Sequence, residues 1–424
     1  MPAVSAFNPT GKPSIDGLLG GTKWAVASLT FSFPALASHY GPDYGDGETT
    51  DNFGALNPTQ QAAARAALAM YAAVSNLSFS EVAESATRHG DLRYARSDAP
   101  STAWAYFPSP WPEGGDVWFN NSLGRYDNPV RGNYAWHTVL HETGHALGLK
   151  HPHEPDGAFG AMPIDRDSVE YTVMSYRSHV GDSTAGGYVN GSWDFPQTLM
   201  MDDIRAIQEM YGPNYGTNAG DTVYQWSPTT GELSIDGAPQ GSPGANRIFL
   251  TVWDGGGVDT YDFSSYAAAL TISLEPAAWS TASAAQLARL DQALGGTRVA
   301  AGNIANSHLF NGDARSLIEN AKGGSAADRI AGNDGANALW GMAGSDTLLG
   351  GAGDDTLRGR RRRSPRGRRR HRCGGLSRRF RRVRVARQRR RHLDPHRPQD
   401  EPARRHRPPR RHGGPALRRP HHRP

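Results

Sequence analysis

The chain has 424 residues, 46 Lys+Arg against 41 Asp+Glu, and a formal net charge of +5. That length allows two or three domains of roughly 150 residues with real cores. A single cysteine excludes a disulfide framework or a CxxC pair, no apolar run approaches the roughly 18 residues of a membrane span, and the first 30 residues lack a basic-then-apolar secretory signal.

Residues 1–20 read as an irregular leader or propeptide containing Pro2, Pro9 and Pro13. Leu29, Phe31 and Phe33 alternate with polar residues, the period of a half-buried strand. Asn57-Pro58-Thr59-Gln60 is a helix start, with Asn as N-cap, Pro at N1 and Gln at N3 reaching back. Ala64, Ala67, Leu68, Tyr71 and Val74 then keep one apolar face. Short runs around Leu77/Phe79, Leu92/Tyr94 and Val117/Phe119 predict strands. Helices are expected over 133–147 and over 198–211, the second stopped by Gly212-Pro213. Strands mixed with long helices indicate an α+β domain ending near residue 212. After residue 220 Gly, Asp, Thr and Ser rise, and from Gly323 a nine-residue unit repeats: GGSAADRIA, GNDGANALW, GMAGSDTLL, GGAGDDTLR. Ile330, Leu339, Leu348 and Leu357 share one register; Asp328, Asn337, Asp346 and Asp355 share another. One apolar and one carboxylate-type position per fixed unit is a solenoid pattern, and GGxGxDxUx is its calcium-binding form.

HETGHALGLKH (141–151) carries the chemistry. On a helix His141 and His145 lie one turn apart on one face, so both imidazoles can grip one ion. Glu142 beside them can deprotonate a water without being a ligand. Gly148 lets the chain leave the helix and brings His151 round as third ligand. Three nitrogens leave an open position, as a catalytic zinc needs, and zinc lowers the pKa of its water to about 7. Five fixed residues at fixed offsets on a helical segment make coincidence a poor explanation. His153 reads as a solvated loop histidine.

These residues resemble the metzincin metalloproteases, and specifically the serralysin family, in which Pro152 directly follows the third histidine. YTVMSY (171–176) is similar to the family's Met-turn: the resemblance implies Met174 as the floor under zinc, and Tyr176 as a resting zinc ligand that swings to the oxyanion. NPTGKPSIDGLLGGTKW (8–24), AYFPSP…GGDVWFN (105–120) and TVWDGGGVDTYDFSSY (251–266) also look like serralysin segments, so the likeness covers nearly all of 8–359. It places GGDVWFN at the active-site rim, near an edge strand that pairs with extended substrate through main-chain hydrogen bonds. The implied fold class is an α+β zincin (metzincin) catalytic domain followed by a β-rich RTX parallel β-roll.

In that roll, turns supply carbonyl oxygens from positions two and four and a carboxylate from position six, and calcium takes six to eight oxygens. By resemblance the ligands are Gly324, Asp328, Gly335, Asn337, Gly344, Asp346, Gly351, Gly353 and Asp355. Earlier sites match Gly220, Thr222, Asp254, Gly256, Gly257, Asp259 and Glu319. Ala326 and Met342 replace glycines, and Asn337 is neutral where a carboxylate is usual, which weakens the second and third turns. The competing reading is a Gly/Asp-rich flexible linker.

The repeat stops mid-unit at Gly359. Arg360 to Pro424 holds 27 Arg, no Lys, three acids (Asp394, Asp400, Glu401) and the lone Cys373, a net of +24. Subtraction leaves 19 basic and 38 acidic residues in 1–359, a net of −19. The small overall charge is therefore a cancellation. Three readings of the tail compete, a nucleic-acid or membrane-surface arm, a solvated disordered tail and a frameshift product, and the last explains most and is the expectation. GC-rich codons for Gly-Asp repeats read as arginine one frame over, which also explains the missing Lys; the other two reading frames of the gene decide it. Serralysin-like proteins leave through type I secretion machinery that reads a C-terminal signal, and none is recognisable here, so export of this chain is in question.

The expected division is a leader at 1–20, a catalytic domain at 21–215, a calcium-binding β-roll at 216–359 and a disordered Arg-rich tail at 360–424. The expected function is a secreted, monomeric zinc endopeptidase with one Zn²⁺ and several Ca²⁺, using Glu142 as base and Tyr176 at the oxyanion. Its partners are protein and peptide substrates, with no specific nucleic acid and no membrane span. The alternative is a non-catalytic calcium-dependent surface or adhesion protein.

Overall fold

A computed structural model describes residues 2–41 and 44–359. The Arg-rich segment, with its expected disorder and frameshift origin, lies outside the described residues. The first half contains, in order, β1 (Val4–Ala6), α1 (Pro13–Asp16), β2 (Thr22–Trp24), β3 (Ser28–Ser32), α2 (Pro58–Val74), β4 (Ser78–Glu81), β5 (Leu92–Ser97), β6 (Ala103–Ala105), β7 (Val117–Asn120), α3 (Tyr134–Leu147) and α4 (Met201–Tyr211).

Two asparagines start the helices that frame the site. The Asn57 side chain accepts from Gln60 N at 2.9 Å and the Gln60 side chain accepts from Asn57 N at 2.8 Å, the expected reciprocal box. Asn133 Oδ1 accepts from Trp136 N at 2.9 Å and opens α3. α2 presents Ala64, Ala67, Leu68, Tyr71 and Val74 inward, as their spacing requires. α4 begins at Met201, three residues later than expected, where Asp203 turns back to accept from Met200 N at 2.8 Å.

The sheet has the order β4-β3-β5-β7-β6. β3 runs parallel to β4 and β5, β5 parallel to β7, and β6 lies antiparallel to β7 as an edge. Parallel interior strands are covered on both faces, so Trp118 is as buried as Val117 and Phe119. The strand of GGDVWFN is interior, and the edge beside it is Ala103–Ala105. The leader differs from its irregular reading. β1 pairs antiparallel with β2, and Ile15, Leu18 and Leu19 are buried in the same core as Trp24, Leu140 and Leu147. Three prolines break long elements, but they leave apolar residues free to be recruited by tertiary contact.

The second half is β-rich: β8 (Val223–Trp226), β9 (Leu233–Ile235), β10 (Ala238–Pro239), β11 (Leu250–Val252), β12 (Thr260–Asp262), β13 (Thr271–Ser273), β14 (Trp279–Ser280), β15 (Ile304–Asn306), β16 (Asn320–Lys322), β17 (Arg329–Ala331), β18 (Ala338–Trp340), β19 (Thr347–Leu349) and β20 (Thr356–Arg358). Successive repeat strands alternate between two sheets. β16, β18 and β20 pair in parallel in one sheet, and β13, β17 and β19 in the other. Ile330 therefore faces Leu348 in register, and Leu339 faces Leu357. Ile330, Leu339 and Leu348 are buried with Tyr224, Trp226, Tyr261 and Phe263 in a second core. The nine-residue apolar register thus forms the interior between the sheets. Among the described residues no helix is long and apolar enough to cross a membrane.

Candidate metal centre and cleft

α3 is buried along nearly its whole length, so each polar side chain on it needs a partner. His141 Nδ1 bonds Val173 O at 2.8 Å, and His145 Nδ1 bonds Leu149 O at 2.7 Å. These carbonyls accept, which places the proton on Nδ1 and leaves Nε2 as a bare lone pair. Gly148 ends the helix in the left-handed region at φ +108°, and a Cβ there would lie 2.5 Å from Thr22 O. The chain then turns through Leu149 and delivers His151, whose Nδ1 lies 3.2 Å from a Glu154 carboxylate oxygen.

The three Nε2 atoms converge at 3.1 Å (His141–His151), 3.1 Å (His141–His145) and 3.0 Å (His145–His151). Ligands 2.0–2.1 Å from a tetrahedral ion are about 3.3 Å apart, so a small contraction separates this set from zinc geometry. Three lone pairs aimed at one buried point repel each other unless a cation lies between them. The donor set therefore fits a zinc-type metal ion and brings together all three expected histidines.

Glu142 is buried beside them, and its Oε2 has no hydrogen-bond partner. Burial alone pushes its carboxyl up to about 8; a divalent cation alongside acts in the opposite direction. The Tyr176 ring lies 4.2 Å from His151 and 5.8 Å from His141, nearly parallel to the latter at 18°. Burial raises its phenol well above the usual range. Met174 is fully buried beneath the helix: a Cβ on Gly144 would come 2.6 Å from Met174 Sδ and 2.8 Å from Tyr71 Oη. His153 is half-buried and its ring stacks on His151 at 5.6 Å and 18°, so it is not the solvated histidine expected from its loop position.

Three supporting residues escaped the sequence reading. Asp203 on α4 accepts from Thr172 Oγ1 at 2.5 Å, Val173 N at 2.8 Å and Met200 N at 2.8 Å, fixing the loop whose carbonyl orients His141. Lys150 is buried, its ammonium donating to the carbonyls of Gly17 (2.6 Å), Glu154 (2.5 Å) and Gly160 (3.0 Å), which ties the first segment to the third-ligand loop. His137, one turn before His141, contacts Tyr188 Oη at 3.2 Å, and that hydroxyl donates to Ser175 O at 2.8 Å. A cleft of about 710 Å³ opens over His141, Glu142 and Tyr176. Thr102 and Ala103 border it at the β6 edge, and Tyr188 and Phe195 border it further along.

The other predicted group also gathers. Asp254 accepts from Tyr224 Oη at 2.6 Å and Gly256 N at 2.7 Å, Asp259 from Thr222 N at 2.8 Å, and Glu319 from Asp259 N at 2.8 Å. Gly220 O accepts from Thr222 Oγ1 at 2.8 Å, and a Cβ on Gly257 would lie 2.3 Å from that same carbonyl. Asp259 Oδ2 is buried without a hydrogen-bond partner. Burial, then the Asp259 charge, raises the Glu319 carboxyl to about 7. Carboxylates crowded in this way fit a hard cation. In the repeats, Gly344 abuts Ala326 O, Gly351 abuts Asn333 O and Gly353 abuts Gly335 O, so turns two repeats apart are stacked. Asp328 N donates to Asp346 at 3.1 Å, and Asn337 N donates to Asp355 at 3.0 Å. Gly324 N donates to Asp328 at 2.7 Å. Met342 holds φ +54° at the register position where Gly351 holds φ +100°.

Fold and site together define a buried three-histidine cluster that fits a metal ion under a mixed sheet, followed by a β-rich region built on nonapeptide repeats. Residues 322–357 match the model of the RTX calcium-binding nonapeptide repeat in 4 copies, and 213–297 match that of the Peptidase M10 serralysin C terminal. The chain is 33% identical to Serralysin A of Dickeya chrysanthemi over 307 residues, which is 70% of this chain and 57% of that relative. It is 34% identical to Metallopeptidase AprA of Pseudomonas marginalis over 239 residues, 54% of this chain and 49% of the relative. It is 33% identical to Serralysin of Photorhabdus sp. (strain Az29) over 281 residues, 62% and 54% respectively. The chain is serralysin-like and carries RTX calcium-binding repeats, and its matches span about half the length of these relatives.

Proposed function

We propose that the chain is a zinc-dependent endopeptidase stabilised by calcium, with a catalytic domain at 21–215 and a calcium-binding β-roll at 216–359. The observation that carries this is the convergence of three Nε2 atoms within 3.1 Å beside the carboxylate of Glu142. His141, His145 and His151, with Tyr176 alongside, would hold zinc, which supplies Lewis acidity and a water acidified to a pKa of about 7.

Glu142 takes a proton from the attacking water and returns it to the leaving amine, the work of a positioned general base and acid. Tyr176, kept as a neutral phenol by burial, donates to the oxygen that becomes negative as the peptide carbonyl turns tetrahedral. Met174 packs under the ligand helix, and Gly148 sets the turn that delivers His151. An extended substrate lies along Ala103–Ala105 through main-chain hydrogen bonds, which tolerate many side chains and give broad specificity towards proteins and peptides. Gly220, Thr222, Asp254, Gly256, Gly257, Asp259 and Glu319, with the repeat ligands Gly324, Asp328, Gly335, Gly344, Asp346, Gly351, Gly353 and Asp355, take calcium. The alternation of repeat strands between two sheets, paired in parallel within each, supports the β-roll reading. The protein acts as a monomer outside the cell.

Glu142→Gln tests this reading. The variant retains bound zinc and loses about 10²- to 10⁴-fold in cleavage of casein. Zinc retained together with unchanged turnover shows another group to be the base and overturns the assignment.

A further inference from the structure

Of the four residues sharing the carboxylate register of the repeat, Asp328, Asp346 and Asp355 are acids and Asn337 is an amide. The acids only accept. Asp328 takes Leu270 N at 3.0 Å and Gly324 N at 2.7 Å, Asp346 takes Asp328 N at 3.1 Å, and Asp355 takes Asn337 N at 3.0 Å. Asn337 reverses this polarity towards the preceding turn. Its Oδ1 accepts from Asn333 N at 2.8 Å, while its Nδ2 donates to Glu319 O at 2.9 Å and to Asn333 Oδ1 at 3.0 Å. Asn333 completes the arrangement: its Nδ2 donates to Leu274 O at 3.1 Å and Ile318 O at 2.8 Å, and its Oδ1 also accepts from Gly335 N at 2.9 Å.

Both amides are buried, at 0% and 2% exposure, and all four of their N–H groups are used. The swapped amide orientation would set Asn337 NH₂ against Asn333 N–H and its oxygen against Glu319 O, so the polarity is fixed by its neighbours. A calcium ion needs six to eight oxygens with free lone pairs at 2.3–2.6 Å. Here the carbonyls of Ile318 and Glu319, which face the gap between the turns, are already met by N–H donors. Those donors repel a cation and occupy its place.

We propose that Asn333 and Asn337 form an amide clamp that joins the 332–337 turn to the 314–319 turn in place of a calcium ion, so that this rung assembles without calcium. The chain then binds one ion fewer than its count of gaps between stacked turns. β16 and β18, which the clamp joins, form a metal-independent seed on which the calcium-loaded turns build. The inference rests on the calcium reading of the remaining repeats.

The full chain, stripped with chelator and titrated with calcium chloride, gives the test through counted bound calcium and backbone hydrogen exchange. In chelator the wild type keeps exchange protection at 320–322 and 338–340. Asn337→Ala loses that protection without changing the number of calcium ions bound. Asn337→Asp, which swaps a donor for a charge, binds one additional ion and is protected there only when calcium is present. Equal stoichiometry for wild type and Asn337→Asp overturns the inference. So does loss of one ion in Asn337→Ala, or loss of wild-type protection in chelator, a measurement that needs no variant to fold. Failure of the underlying reading is distinct, since the wild type would then bind no calcium at all.

Discussion

Gly144→Ala sets two opposed effects against each other inside the ligand helix. In an ordinary helix interior, alanine in place of glycine stabilises by about 1 kcal/mol, because glycine loses more backbone freedom on folding. At Gly144 the added Cβ would lie 2.6 Å from Met174 Sδ and 2.8 Å from Tyr71 Oη, well inside van der Waals contact. Met174 is fully buried and cannot swing out to solvent, and Tyr71 is held by donating to Leu140 O at 3.0 Å. Overpacking of this kind costs about 1–3 kcal/mol, and weakening the Tyr71 bond adds about 1 kcal/mol. The clash therefore outweighs the propensity gain, leaving a net loss of about 1–3 kcal/mol. For a body of roughly 200 residues a 2 kcal/mol loss lowers Tm by about 4–8 °C. Calorimetry at fixed zinc and calcium measures the shift, and proteolysis should fall with it because the floor under His141 and His145 moves. A variant more stable than the wild type, with full activity, would show that Met174 and α3 are not packed as described.

Two further variants probe the supports of the site. Asp203→Ala strands three buried donors, Thr172 Oγ1, Val173 N and Met200 N. It should cost about 3–5 kcal/mol and weaken zinc affinity through the His141 carbonyl partner, as followed by denaturant unfolding and zinc competition. An unfolding midpoint within error of wild type would refute that anchoring role. Tyr176→Phe keeps the ring against His151 but removes the hydroxyl. It should lower kcat by about 10²–10³ with little change in KM, whereas a pure KM effect would assign Tyr176 to substrate binding.

What could be read ahead of the structure followed from local chemistry. His141 and His145 are one helical turn apart by spacing alone, Gly148 marks the left-handed exit, and the Asn57–Gln60 box is complete within four residues. The nine-residue register also foretold which side chains line the second core, because a fixed period repeats one environment. The remainder depends on partners distant in sequence. Asp203 looks like any first-turn acid until Val173 comes within reach, thirty residues back. Lys150 reads as solvated until three remote carbonyls surround its ammonium. The edge strand Ala103–Ala105 is too short, and too fully buried, to show alternation. Residues 2–20 carry prolines that suggest irregularity, while the burial of Leu18 and Leu19 is decided by the helix they meet.

The central claim, that three imidazoles hold one catalytic divalent ion, is tested most directly by metal content combined with X-ray absorption at the zinc edge. The full chain purified from zinc-replete buffer should carry one zinc with three nitrogen neighbours at about 2.0–2.1 Å, and His145→Ala should abolish it. A wild-type chain with no stoichiometric zinc, or zinc that survives His145→Ala unchanged, would contradict the account.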